Sequence, residues 1–249
     1  DLLFMYTSDL APVAEIRGTF GLDRGTKRVD CSNKFPEHTC AYYFMNHLKK
    51  KGIECTEGAG DFKLDPDWET HGDINILGKT YSPTLDRIIF ETNHASNNLY
   101  AETLLKTLGK VLRNEGCYDS SYVAIKNVLK DIGVDVSRGI RIQDGSGLSR
   151  QNFVSPDFFC RYLMAMMGQE CFEDFVESLP SPGGTGTLAS NMKNYPAETR
   201  ARIKAKSGSM NGVRCYSGYI IPTEGCKDDT IVFSIMVNNS TQPTWKVRP

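Results

Sequence analysis

Across the last two thirds of the chain the hydrophobic period changes once, from helical to extended. From about residue 75, apolar residues recur at helical spacing: Leu85, Ile88 and Ile89 after Ser82-Pro83, then Leu99, Leu104, Leu105 and Leu108 on one face between Asn98 and Val111. Two further helices are expected over Ser120–Ile132 and Pro156–Met167. In the second, Phe158, Phe159, Tyr162, Leu163 and Met166 sit at core spacing and read as packing. Three extended segments follow, Arg202–Ser207, Gly212–Ile221 and Thr230–Asn239, and their Gly and Pro punctuation suits an antiparallel meander. The expected fold class is α+β.

The first part of the chain reads as a smaller α+β unit. Short strands are expected at Glu15–Phe20 and Arg28–Ser32, followed by an amphipathic helix from about Pro36 to Lys51. Pro36 lies in the first turn, Lys49, Lys50 and Lys51 close the helix where cations offset its dipole, and Gly52 stops it. The lysine run is therefore a helix end rather than a binding patch. The turn-rich stretch from Gly58 to Gly72 marks a boundary, giving domains over residues 1–74 and 75–249.

Composition removes several classes of function. Twenty-nine Lys+Arg against 30 Asp+Glu leave a net charge of -1, so no summed field favours nucleic acid. No apolar run approaches the roughly 20 residues that span a bilayer. The start, Asp1-Leu2-Leu3-Phe4-Met5, has no basic segment or cleavage site, so any export signal is expected to lie outside this sequence. Eight cysteines and four histidines show no metal-ligand spacing, and no pairing can be assigned among the cysteines; Cys160 and Cys171 fit buried free thiols.

Two short patterns could carry chemistry: Ser96-Asn97-Asn98 at the opening of a helix, and Lys206-Ser207-Gly208 at the end of a strand. S-x-N occurs twice (Ser96 to Asn98, Ser209 to Asn211), and Ser96 alone could be a helix N-cap. Lys-[Ser/Thr]-Gly occurs once, against about 0.2 expected from composition. The surrounding words strengthen both. Asn93-His-Ala-Ser96-Asn-Asn98-Leu-Tyr-Ala-Glu-Thr-Leu-Leu-Lys-Thr-Leu-Gly109, Asp144-Gly-Ser-Gly-Leu-Ser-Arg150-Gln-Asn152 with Val154-Ser-Pro, Lys206-Ser-Gly-Ser-Met-Asn-Gly-Val213 and Ser217-Gly-Tyr-Ile220 stand in the order found in one family. The chain closely resembles the low-molecular-mass penicillin-binding proteins of the D-alanyl-D-alanine carboxypeptidase/endopeptidase type.

That resemblance implies a penicillin-binding-protein/β-lactamase-like transpeptidase domain, an antiparallel sheet flanked by helices. It is expected to be incomplete over residues 75–249 and joined to a remnant of an inserted accessory domain over 1–74. The family works through S-x-x-K, S-x-N and K-[ST]-G, and one S-x-x-K is present, Ser190-Asn-Met-Lys193. It falls just ahead of the K-S-G strand, whereas the family carries its nucleophile well before S-x-N. The nucleophile is therefore expected outside this chain, in an N-terminal segment of the same protein.

By resemblance Ser96 relays a proton between the lysine base and the leaving amine, and Asn98 holds the substrate amide and the base. Lys206 and Ser207 receive the terminal D-alanine carboxylate, Gly208 lets the peptide approach, and the Ser209 N–H serves the oxyanion hole. Met210 and Asn211, just past the strand, line the pocket, while Asp144 and Arg150 brace the loop around Ser146 and Ser149. The implied partners are a peptidoglycan stem peptide ending in D-Ala-D-Ala, β-lactams and the N-terminal segment, in the periplasm or cell envelope, with no metal or cofactor. The other reading is a catalytically silent relative that binds peptidoglycan stems or partner proteins through the same groove.

Overall fold

Local end signals and tertiary burial shape the two ends of this molecule differently. The computed structural model describes residues 2–7, 13–28, 33–60, 78–223, 229–242 and 246–247. The chain divides into two compact units, residues 1–79 and 80–249.

In the first unit β1 (Leu2–Thr7) pairs antiparallel with β2 (Ala14–Thr19), Leu2 opposite Thr19 and Thr7 opposite Ala14. The expected strand at Glu15–Phe20 is β2, whereas β1 has no counterpart in the sequence reading. Most of the strand expected at Arg28–Ser32 lies outside the described residues. Helix α1 (Pro36–Lys50) begins on Pro36 and ends with Lys49 and Lys50 in its last turn. None of its residues is buried.

The second unit opens with three helices, α2 (Leu85–His94), α3 (Asn98–Arg113) and α4 (Tyr118–Asp131). α3 and α4 pack together, tightly at Gly109, where a Cβ would stand 2.3 Å from the Ser121 Oγ. Ser121 is itself fully buried and donates to the Cys117 carbonyl at 2.6 Å. A two-residue ladder, β3 (Ile140–Arg141) with β4 (Phe153–Val154), closes the loop between α4 and α5 (Pro156–Met166). Then come α6 (Phe172–Ser178), a 3₁₀ turn (Gly186–Leu188) and α7 (Ala197–Ala201).

The sheet is an antiparallel meander, β5 (Ile203–Met210), β6 (Val213–Ile220) and β7 (Ile231–Val237), in the order β5-β6-β7. β5 is longer than the sequence suggested. Its ladder continues through Ser209 opposite Arg214 to Met210 opposite Val213, so Lys206-Ser207-Gly208 lies inside the strand and Met210 is its last residue. Asn211-Gly212, a strong hairpin signal, makes the two-residue connection.

Alternation along β5 sends Lys206 and Ser207 to opposite faces of the sheet. On the Lys206 face, Tyr219 of β6 is fully buried in a cluster with Leu163, Phe172, Val176 and Leu179, and its hydroxyl donates to the Leu163 carbonyl at 2.9 Å. That burial pushes the Tyr219 pKa up. The Ser207 face carries a smaller cluster of Leu188, Ala205 and Tyr216. A third cluster, Leu129, Val134 and Phe158, joins α4 to α5. Phe158 and Leu163 are thus core residues, as their spacing indicated. The six cysteines among the described residues are free; Cys160 is partly buried, but Cys171, expected inside, is exposed at the start of α6.

Candidate active site

The site forms where the α2–α3 connection meets the edge strand β5. Asn97, not Ser96, caps α3: its side-chain oxygen accepts from the Tyr100 N–H at 3.2 Å. Ser96 sits one residue earlier with a left-handed backbone, φ 57°. The N-cap reading of Ser96 is therefore wrong, because its neighbour satisfies the helix end and leaves the serine hydroxyl free for another partner.

That partner is 110 residues away. Lys206 Nζ donates to Ser96 Oγ at 2.8 Å and to the Ser207 carbonyl at 2.7 Å. No carboxylate pairs with Lys206 among the described residues, and burial lowers the pKa of its ammonium. A hydroxyl has one hydrogen and two lone pairs, so Ser96, accepting from Lys206, keeps its own O–H to donate. Asn98, the first residue of α3, is exposed and makes no hydrogen bond to Ser96 or Lys206 among the described residues.

Ser207, on the other face of β5, donates to Thr187 Oγ1 at 3.0 Å. Gly208 and Ser209 are exposed on the strand. A Cβ at Gly208 would meet only Cys215 Cβ, at an ordinary 3.8 Å, so the fold itself does not require glycine there. β5 pairs only with β6 among the described strands; on its other edge the Ala205 N–H donates to the Pro180 carbonyl at 3.1 Å, and the stretch from Ser207 to Ser209 beyond it can accept an extended chain.

A loop from Asp144 to Asn152 reaches α3 and the β5–β6 turn. The Asp144 carboxylate accepts from the Gly147 and Ser149 amides at 2.7 and 2.5 Å and from Asn152 Nδ2 at 2.8 Å, which folds the loop on itself. Glu102 ties it to α3 by accepting from the Gly145 and Ser146 amides, each at 3.1 Å. Partial burial raises the Glu102 pKa, but the hydrogen bonds from Ser146, Gly145 and Tyr118 together hold it below the usual carboxylate value. Arg150 reaches the β5–β6 turn, donating to the Asn211 carbonyl at 3.4 Å. Met210 is partly buried and Asn211 is exposed at that turn.

The Gly186-Thr187-Leu188 stretch, which by resemblance is a surface segment of the family, joins the two motifs through contacts that sequence reasoning did not foresee. His94, at the end of α2, has Nε2 2.7 Å from Thr185 Oγ1 and its ring stacked on Phe90 at 4.5 Å. Gly186, at φ +79°, lies against the same histidine, where a Cβ would come within 2.7 Å of the ring and of the His94 carbonyl. Two threonines flanking a glycine in Thr185-Gly186-Thr187 were the available signal. Ser190 and Lys193 are both exposed and not hydrogen-bonded to each other, in a turn rather than on a helix. No group of three metal-ligating side chains occurs among the described residues.

Comparison with known proteins agrees with this architecture. A model of the D-Ala-D-Ala carboxypeptidase 3 (S13) family matches residues 13–247. The chain is 31% identical over 213 residues to a D-alanyl-D-alanine carboxypeptidase of Actinomadura sp. (strain R39), covering 84% of this chain and 38% of that protein. It is 30% identical over 237 residues to the penicillin-sensitive carboxypeptidase A of Dictyostelium discoideum, covering 90% and 42%. The chain therefore spans about two fifths of the length of these curated relatives. Among solved structures, penicillin binding protein 4 of Haemophilus influenzae, complexed with a β-lactam, superposes with a TM-score of 0.69 at 22% identity over 84% of this chain and 46% of that one. This likeness establishes the fold, a penicillin-binding-protein type of antiparallel sheet flanked by helices. The chain belongs to the D-Ala-D-Ala carboxypeptidase 3 (S13) family.

Proposed function

We propose that the chain supplies the S-x-N and K-S-G half of a penicillin-sensitive serine D-Ala-D-Ala carboxypeptidase/endopeptidase that cleaves peptidoglycan stem peptides in the cell envelope. The observation that carries this reading is the 2.8 Å hydrogen bond from Lys206 to Ser96, which joins two motifs 110 residues apart. The family match supplies the reaction class.

In acyl transfer a serine loses its proton as it attacks, and the leaving amine gains one. Ser96, accepting from Lys206 and donating through its own hydrogen, has the hydrogen-bond capacity to pass a proton between a base and that amine. The stem peptide adds along the edge of β5 from Ser207 to Ser209, its terminal carboxylate meeting the Ser207 hydroxyl and the positive field of Lys206. Gly208, which the fold does not demand, leaves the peptide backbone room to approach. The Ser209 N–H contributes to the oxyanion hole, Asn98 orients the substrate amide, and Met210, Asn211 and the Asp144–Asn152 loop border the stem.

The acylated serine lies outside these 249 residues, in a segment that completes the site. Ser190 is not that group. It lies exposed in a turn, with no hydrogen bond to the exposed Lys193 and no shielded pocket around it. In this reading residues 1–74 are what remains of an inserted accessory domain, 75–249 are the later part of the transpeptidase-like domain, and the fragment alone is inactive.

Fluorescent-penicillin labelling of the full-length protein, resolved on a denaturing gel, tests the proposal. A labelled band that disappears on prior treatment with unlabelled penicillin is expected. A folded full-length protein that takes no label is a binding relative instead.

A further inference from the structure

The K-S-G strand of this chain has a serine at its second position, and that serine has a neighbour that the motif does not include. Ser207 Oγ donates to Thr187 Oγ1 at 3.0 Å. We propose that Thr187 is a positioning residue that aims the Ser207 hydroxyl at the substrate carboxylate; this rests on the reading of the site given above.

Four observations place Thr187 firmly. Leu188 is buried against Ala205 and Tyr216, so the residue after Thr187 is anchored in the sheet's own core. Gly186 packs on the ring and carbonyl of His94 so closely that no Cβ fits. Thr185 is hydrogen-bonded to His94 Nε2 at 2.7 Å, and the Gly183 N–H donates to the Leu188 carbonyl at 3.3 Å across the segment. Thr187, itself exposed, is therefore held from both sides, with its hydroxyl meeting Ser207 of β5.

The chemistry follows from counting hydrogens. A hydroxyl donates once and accepts twice. With no ligand bound, the single Ser207 hydrogen rests on Thr187. When a carboxylate arrives, that hydrogen turns to it, and the Thr187 hydroxyl can donate to the lone pair of Ser207 in return. Both hydroxyls then stay satisfied, and the chain Thr187 to Ser207 to carboxylate polarises in one direction, which strengthens the last bond. A threonine in the strand would have its χ1 restricted by its own β-branch. Ser207 lacks that methyl, and Thr187 provides from outside the orientation that the methyl would provide from within.

A double-mutant cycle in the full-length protein tests this, with penicillin acylation followed by stopped flow so that the pre-acylation dissociation constant and the limiting acylation rate are read separately. Thr187→Val should weaken pre-acylation binding about tenfold, the loss of one bond in a charge-assisted chain, with a smaller change in the limiting rate. Thr187→Ser should keep most of the wild-type affinity. Ser207→Thr combined with Thr187→Val should recover most of the lost affinity, because the strand hydroxyl is then oriented by its own methyl. A purely structural role for Thr187 would show equal losses in both backgrounds and no rescue, and that result overturns the inference. So does unchanged binding in Thr187→Val while the wild type is acylated. A wild type that is not acylated overturns the functional reading, and this inference with it.

Discussion

Helix α1 and helix α5 are both amphipathic, and both were legible in the sequence, yet they hold their shapes for different reasons. α1 starts on Pro36 and ends on lysines, and none of its residues is buried; Tyr42, Tyr43 and Phe44 remain 50, 69 and 62% exposed. α5 also starts on a proline, capped by the Ser155 hydroxyl, but it buries Phe158 and Leu163 in two separate clusters. Local signals suffice to write a helix. Only the second helix fixes other elements, because a buried side chain carries the free energy that sets one element against another. The S-x-N and K-S-G motifs stand in the unit of α5, where β5 is held against the core by Ala205 and through the partners of Tyr219.

The largest effect should come from striking that core. Phe172→Ala removes a 6% exposed ring that meets Tyr219 edge-on at 5.4 Å, and is expected to lower stability by about 3–5 kcal/mol in chemical denaturation. A loss under about 1 kcal/mol would mean that the cluster does not hold the sheet.

Next comes Lys206→Met. It should reduce penicillin acylation of the full-length protein by about ten- to a hundredfold, the range of a charged hydrogen bond removed from a site. Folding should respond in the opposite sense, since a partly buried ammonium without an ion pair is replaced by an apolar side chain of similar length. The pH dependence has a definite sign. Burial lowers the Lys206 pKa, so over the window between that lowered value and the ordinary lysine value the unfolded chain binds more protons than the folded one. Wild type should therefore gain stability relative to Lys206→Met as pH rises through that window. Parallel curves for the two proteins would place the lysine in water.

Smaller again is Tyr219→Phe, which removes the buried hydrogen bond to the Leu163 carbonyl. About 1 kcal/mol is expected from thermal or urea unfolding. At the bottom of the scale, Tyr43→Ala on α1 should change stability by less than about 0.5 kcal/mol. A large loss there would break the contrast between the two helices.

Which features the sequence could reveal follows the same division. Periodicity located α2 to α5 and the three strands of the meander, because each places several apolar residues on one side. Helix α6 was missed: seven residues are too few to display a period, and its burial of Phe172 and Val176 is visible only in three dimensions. The motif words marked Ser96 and Lys206 but not their contact, which depends on Asn97 taking the cap and leaving Ser96 in a left-handed turn. Thr187 and His94 were hidden because each meets its partner across 20 and 91 residues, with no local pattern to mark the pair. The end of β5 was underestimated although Asn211-Gly212 announced the hairpin.

The most direct test of the account is to map the penicilloyl adduct by peptide mass spectrometry on the full-length protein and on Lys206→Met. The account predicts one adduct, on a serine outside these 249 residues, that fades in the Lys206 variant. An adduct on Ser190, or one whose yield ignores Lys206, would contradict it.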